Sequence, residues 1–128
     1  MVSKQHEKDL IDGLHQQLKP LFDSSEESIY IYLDDIHKVC NKKFASLLKY
    51  NSPEEWAKVK GSFPTAFVDS KSQHTLVSAY QDAMEKMTGS AIDVVWKAKS
   101  GEKINTRVIL VPITYQQHTF ALHFISRS

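Results

Sequence analysis

The feature that most constrains this chain is its last third, where three strand-length runs rich in apolar residues follow one another with turn residues between them. Ile92, Val94 and Trp96 alternate with Asp93, Val95 and Lys97, the period of two that a strand imposes on its side chains. Ser100-Gly101-Glu102 supplies a turn, with Gly101 available for a positive φ. A β-branched run follows from Thr106 to Thr114, and a third run from Thr119 to Ile125. In the third, Phe120, Leu122 and Phe124 share one face, and Ala121, His123 and Ile125 the other. The pattern predicts an antiparallel meander with strands near 91–99, 103–114 and 118–126. Such a sheet needs helices over at least one face.

The helices must come from upstream. Leu10, Leu14 and Leu18 recur every four residues and Ile11 widens the stripe, predicting an amphipathic helix over Lys4–Lys19. Pro20 is expected to end it. Residues 1–22 form this N-terminal element, and residues 23–128 the domain body. Alternation of Ile29, Ile31 and Leu33 with Tyr30 and Tyr32 predicts a strand over 29–33, and Asp34-Asp35 a turn into a second strand over 36–40. Helical spacing resumes at Asn41 with Phe44, Leu47 and Leu48. Ser52-Pro53-Glu54-Glu55 is a helix start with a capping box. Asp69 or Ser70 opens the longest internal helix, Gly89 closes it, and Leu76, Val77, Tyr80, Met84 and Met87 form its buried stripe. The fold class is α+β.

Composition limits the classes of function. A chain of 128 residues is one domain, and 41% hydrophobic with 24% charged residues is ordinary for a globular protein. A net charge of +1 gives no electrostatic reason to expect nucleic acid or an anionic membrane as partner. The apolar runs are far shorter than the roughly 20 residues of a membrane span, and Met1 to Lys19 is too polar for a signal peptide. The single cysteine, Cys40, excludes an internal disulfide and fits a reducing cytoplasm, the expected location.

The order of elements, with these residues at its joints, resembles a PAS domain. Asn41, Phe44, Leu47 and Tyr50 match the family's asparagine, phenylalanine, leucine and tyrosine stretch, with Lys49 where glycine is usual. Ser52-Pro53-Glu54-Glu55 matches the stretch that commonly follows, and Phe67-Val68-Asp69 the one before the long helix. Lys99-Ser100-Gly101-Glu102 is similar to the lysine-aspartate-glycine turn, and Phe124-Ile125-Ser126 stands at the family's ending. The likeness runs from Ile29 to Ser126.

That resemblance implies a five-stranded antiparallel sheet with helices on one face and the last strand in the middle, beside the first. It implies a sensor or interaction module; some members hold haem, flavin or a small metabolite between sheet and helices. On the family pattern Phe120, Leu122 and Phe124 point inward. The expected ligand-binding set is Asn41, Tyr80, Met84, Trp96, Phe120, Leu122 and Phe124, around a small, largely apolar molecule. No prosthetic group is expected. Where flavin-photochemical members carry a reactive thiol, this chain has Lys60-Gly61-Ser62-Phe63, and His74 lies roughly a turn before the axial position of haem-binding members. Haem on His74 is the alternative.

No catalytic or metal-binding set is expected from the six histidines. His6 and His15 belong to the first helix, where solvent is the ordinary environment. His118 and His123 are five apart and fall on opposite faces of one strand, so they cannot chelate together. Asp34, Asp35 and His37 have acid–base chemistry, but paired aspartates between two strands are more simply a turn. Cys40 is a small buried hydrophobe.

The expected function is therefore a sensory or regulatory module that binds a small ligand or a protein partner without catalytic output of its own. The alternatives are a ligand-free dimerisation or scaffold module, and a small α+β enzyme with an Asp/His acid–base site. With Phe120 and its companions inward, Ile125 joins Ile109, Val111 and Ile113 on the outer sheet face. An apolar face of that kind marks an interface, and Leu10, Ile11, Leu14 and Leu18 form a matching stripe. The prediction is a homodimer in which the first helix, from its own or its partner's chain, covers that face. A heterologous partner on the same face is the alternative.

Overall fold

The computed structural model describes residues 4–128. One five-stranded antiparallel sheet organises it. In chain order come α1 (Lys4–Ser24), β1 (Ser28–Tyr32), β2 (Lys38–Cys40), α2 (Lys42–Leu47), α3 (Pro53–Ala57), α4 (Phe63–Phe67), α5 (Ser70–Lys86), β3 (Ser90–Lys97), β4 (Lys103–Tyr115) and β5 (His118–Arg127). The strand order is β2-β1-β5-β4-β3, with the last strand between the first and the fourth.

Helices α2 to α5 cover one face, called inner here. Their core joins Tyr30, Phe44, Leu48, Trp56, Phe63, Phe67, Leu76, Val94, Trp96, Val108 and Ile125. Aromatic rings dominate it: Tyr30 stacks on Phe44 at 4.9 Å, and Trp96 meets Phe44 edge-on at 5.2 Å. Helix α1 covers part of the outer face. Leu10, Ile11, Leu14 and Phe22 are buried there against Ile29, Ile31, Phe120 and Leu122. Full burial of each aliphatic side chain in this set stabilises the fold by about 1.5–3 kcal/mol. Gly13 faces Tyr115 across this contact, and a Cβ on it would come within 2.5 Å of the tyrosine oxygen.

The helix starts follow local chemistry. Asn41 caps α2 by accepting from Phe44 N–H at 3.0 Å. Ser52 caps α3 through Glu55 N–H at 3.0 Å, with Pro53 at the first helical position. Asp69 caps α5 and pairs with Lys103 at 2.9 Å.

Several boundaries differ from expectation. Helix α1 runs through Pro20 to Ser24. Its last turn is held by burial of Phe22, against which the His15 ring sits at 5.0 Å, and this outweighs the lost proline donor. The second strand starts at Lys38 rather than residue 36, because Asp34 Oδ1 accepts from both Ile36 and His37 N–H and folds that stretch into a loop. Ile36 is left 68% exposed. Helix α5 closes at Met87, which takes φ 52°, two residues before Gly89. Its buried stripe is Ser72, Leu76, Ala79 and Ala83, while Met87 is exposed.

The largest correction concerns the faces of β5. Phe120, Leu122 and Phe124 point outward, toward α1, and Ala121, His123 and Ile125 point inward. Register requires this. The hairpin pairs Tyr115 with His118, which sets Val111 opposite Leu122 and Ile109 opposite Phe124. Cross-strand partners share a face. Ile109, Val111 and Ile113 are therefore outward together with Phe124, Leu122 and Phe120, whereas Ile125 pairs with Val108 and belongs to the inner core.

Candidate functional site

Between β1, β5 and the helices α4 and α5 lies a cleft of about 230 Å³. Tyr30, Tyr32 and His123 form its sheet side, Phe63 and Pro64 come from α4, and Leu76, Val77, Tyr80 and Gln81 from α5. A larger depression beside Asp35 and Ile36 is rimmed by the exposed Lys58, Lys60 and Gly61 and has no comparable aromatic wall.

The one imidazole in the cleft is unusual. His123 is 1% exposed and pairs with Tyr30 across the strands, the two rings stacking at 3.9 Å and 9° from parallel. Its Nδ1 has no hydrogen-bond partner. Burial pushes its pKa down to about 3, opposed in part by the nearby Tyr30 and Ala121 carbonyls, so the ring is neutral. The stack is accordingly one of two uncharged rings.

The tyrosines have different partners. Tyr32 donates to Asp35 Oδ1 at 2.8 Å, and that oxygen also accepts Phe63 N–H at 2.9 Å, tying the β1–β2 loop to α4. Tyr80 donates a long bond of 3.4 Å to the Leu33 carbonyl and meets Tyr32 edge-on at 5.1 Å. Burial raises the pKa of Tyr30, Tyr32 and Tyr80, and Asp34 and Asp35 raise the last two further. All three stay protonated.

Of the expected ligand-binding residues, only Tyr80 lines this cleft. Phe120 and Leu122 lie beneath α1, with Phe124 packed at the edge of the same cluster. Trp96 is buried in the inner core, its indole N–H donating to Thr106 Oγ1 at 2.8 Å. Met84 packs with Ala79, Ala83 and Leu110 further along α5. Asn41 is a structural clamp: its Oδ1 accepts from Ile29 and Phe44 N–H, and its Nδ2 donates to the Glu27 and Phe22 carbonyls. His74 is exposed and outside the cleft walls. Cys40 is buried, its thiol pushed well up by desolvation and so kept protonated.

Two residues carry structure that the sequence did not disclose. Lys38 is buried, with Nζ donating to the Asp35, Ala57 and Val59 carbonyls and lying 5.7 Å from the Trp56 ring centre. His37 is also buried, its Nδ1 2.9 Å from Asp34 Oδ1 and 3.4 Å from Glu7 Oε2 of α1. Glu7, Asp34 and His37 are the one grouping among the described residues able to offer three ligand atoms to a cation. His37 Nδ1 already faces both oxygens of Asp34.

Among the described residues no helix is long and apolar enough to cross a membrane. No family model and no curated protein matches the sequence. Solved structures do match. The PAS domain of a protein from Colwellia psychrerythraea superposes with a TM-score of 0.69 at 18% identity, over 90% of this chain and 97% of that one. The PAS domain of an HTR-like protein from Haloarcula marismortui gives 0.62 at 19%, over 98% and 100%. A PAS domain from a two-component sensor histidine kinase gives 0.65 at 13%, over 91% and 99%. With the strand order, the inner helices and the central last strand, these likenesses establish that the chain has the PAS fold.

Proposed function

We propose that this chain is a sensory or regulatory module that binds a small molecule in the cleft and conveys occupancy to α1. The observation that carries this reading is the relation of cleft and helix to the same two strands. Tyr30 and His123 face the cleft, while their chain neighbours Ile29, Ile31 and Leu122 are buried on the opposite face in the α1 cluster. An occupant that moves the Tyr30–His123 pair acts directly on the strands that seat α1. The sensor-kinase origin of one structural neighbour is consistent with this role. The cleft walls hold a histidine but no carboxylate, which favours binding over acid–base catalysis. Val77→Trp, from a half-buried position on the wall, fills the cleft with little effect on the fold. Ligand affinity unchanged by that substitution would overturn the reading.

A second surface supports self-association. Helix α1 leaves the β3–β4 side of the outer face open, where Ile109 is 47% exposed beside Ala91 and Phe124. An apolar patch on a flat sheet face fits a second copy of the chain, giving a homodimer with α1 as an intramolecular cover. A signalling protein docking on the same patch is the alternative occupant.

A further inference from the structure

We infer that the cleft selects an uncharged, single-ring molecule bearing a hydroxyl, and that the hydroxyl bonds to Nδ1 of His123. The inference rests on the ligand-binding reading above and gives that ligand a chemical class.

Size sets the first limit. An apolar cavity of about 150 Å³ takes a benzene molecule, so the cleft of about 230 Å³ holds one ring with a small substituent. Wall chemistry sets the second. Phe63, Leu76, Val77 and the rings of Tyr32 and Tyr80 offer apolar surface suited to a ring.

Charge sets the third. No lysine or arginine lines the cleft, and the nearby charges are Asp34 and Asp35, whose field reaches Tyr80 and Tyr32. An anion would be repelled there as well as desolvated. A cation finds no carboxylate among the walls to pair with and would lose its hydration there. An uncharged molecule remains.

The last limit is polar. A buried nitrogen without a partner carries a standing desolvation cost, and native interiors rarely leave one so. His123 lines the cleft, and its buried Nδ1 is such an atom. The neutral ring offers either an N–H or a lone pair at that position, according to tautomer. A hydroxyl both donates and accepts, so it serves either form, whereas a hydrocarbon serves neither.

Phenol and toluene, nearly equal in shape, separate these ideas, with benzoate as the charged probe. Titrations into the wild-type chain followed by amide NMR are expected to give saturable binding of phenol about tenfold or more tighter than toluene, and no binding of benzoate. In His123→Phe, which keeps a ring to stack on Tyr30, phenol should weaken to the level of toluene. The long-range ¹H–¹⁵N signals of the His123 ring in the wild type provide a reading independent of any variant, and should move with phenol and not with toluene. Toluene binding as well as phenol, a still His123 signal at phenol saturation, or tight benzoate binding would each overturn the hydroxyl inference while leaving the cleft a ligand site. Absence of binding by all three probes would overturn the inference together with the reading beneath it.

Discussion

Tyr30 and His123 sit opposite each other on adjacent central strands and stack ring on ring, 3.9 Å between centroids, at the base of the cleft. Tyr30 also stacks on Phe44 and Phe63, so the histidine is attached to the largest aromatic cluster of the protein.

That position makes stability depend on pH. The His123 pKa falls from 6.5 to about 3 on folding because the charged ring cannot be solvated in the core. Above pH 6.5 neither state binds the proton and nothing is lost. Below it the unfolded chain takes up a proton that the folded chain refuses, so stability declines as pH falls toward about 3. The slope approaches about 1.4 kcal/mol per pH unit. Urea midpoints of the wild type measured from about pH 7 down to about pH 4.5 should fall accordingly, and His123→Phe should flatten most of the decline. The half-buried His15, also lowered by burial, leaves a smaller residual slope in the same range.

Trp56 and Trp96 are both fully buried but differ in one bond. Trp96 Nε1 donates to Thr106 Oγ1, which in turn donates to the Val94 carbonyl, whereas Trp56 Nε1 has no partner. Replacing Trp56 by Phe removes an unsatisfied donor along with some volume. Replacing Trp96 by Phe removes similar volume and breaks a buried bond. Trp96→Phe should therefore cost about 1–2 kcal/mol more than Trp56→Phe in equilibrium unfolding. Equal costs would mean that the Thr106 bond contributes nothing net.

The two halves of the outer face should respond differently to charge. Leu14 is buried on the sheet-facing side of α1, and Leu14→Glu should lower stability by about 3 kcal/mol or more and detach the helix. Ile109 is half exposed, and Ile109→Glu should change stability by no more than about 0.5 kcal/mol. Sedimentation should find the wild type dimeric and Ile109→Glu monomeric. A variant that remains dimeric would move the interface elsewhere.

Much of the architecture was legible in the sequence because its local signals agree. The caps at Asn41, Ser52 and Asp69, and the alternation in β1 and β3, each name one element. The facing of β5 was not legible, because a central strand covered by helices on both sides has apolar residues on both faces, and periodicity then loses its meaning. A histidine on such a strand looks like a solvent marker, yet His123 is the most deeply buried of the six. The decisive signal was the turn. Gln116 and Gln117 both take positive φ and close a two-residue hairpin, a conformation usually announced by Asn-Gly. With that turn recognised, outward placement of Ile109 forces Phe124 outward as well. The cleft residues then follow from parity, with His123 among them.

The most direct test of coupling between cleft and helix is an amide chemical-shift map of the wild-type chain at phenol saturation. Saturable shifts are expected at Tyr30, Leu76, Tyr80 and His123, accompanied by a second group at residues 10–14 of α1, which touch the same strands from the other side. Saturation of the cleft signals with residues 10–14 unmoved would contradict a sensor that acts through α1.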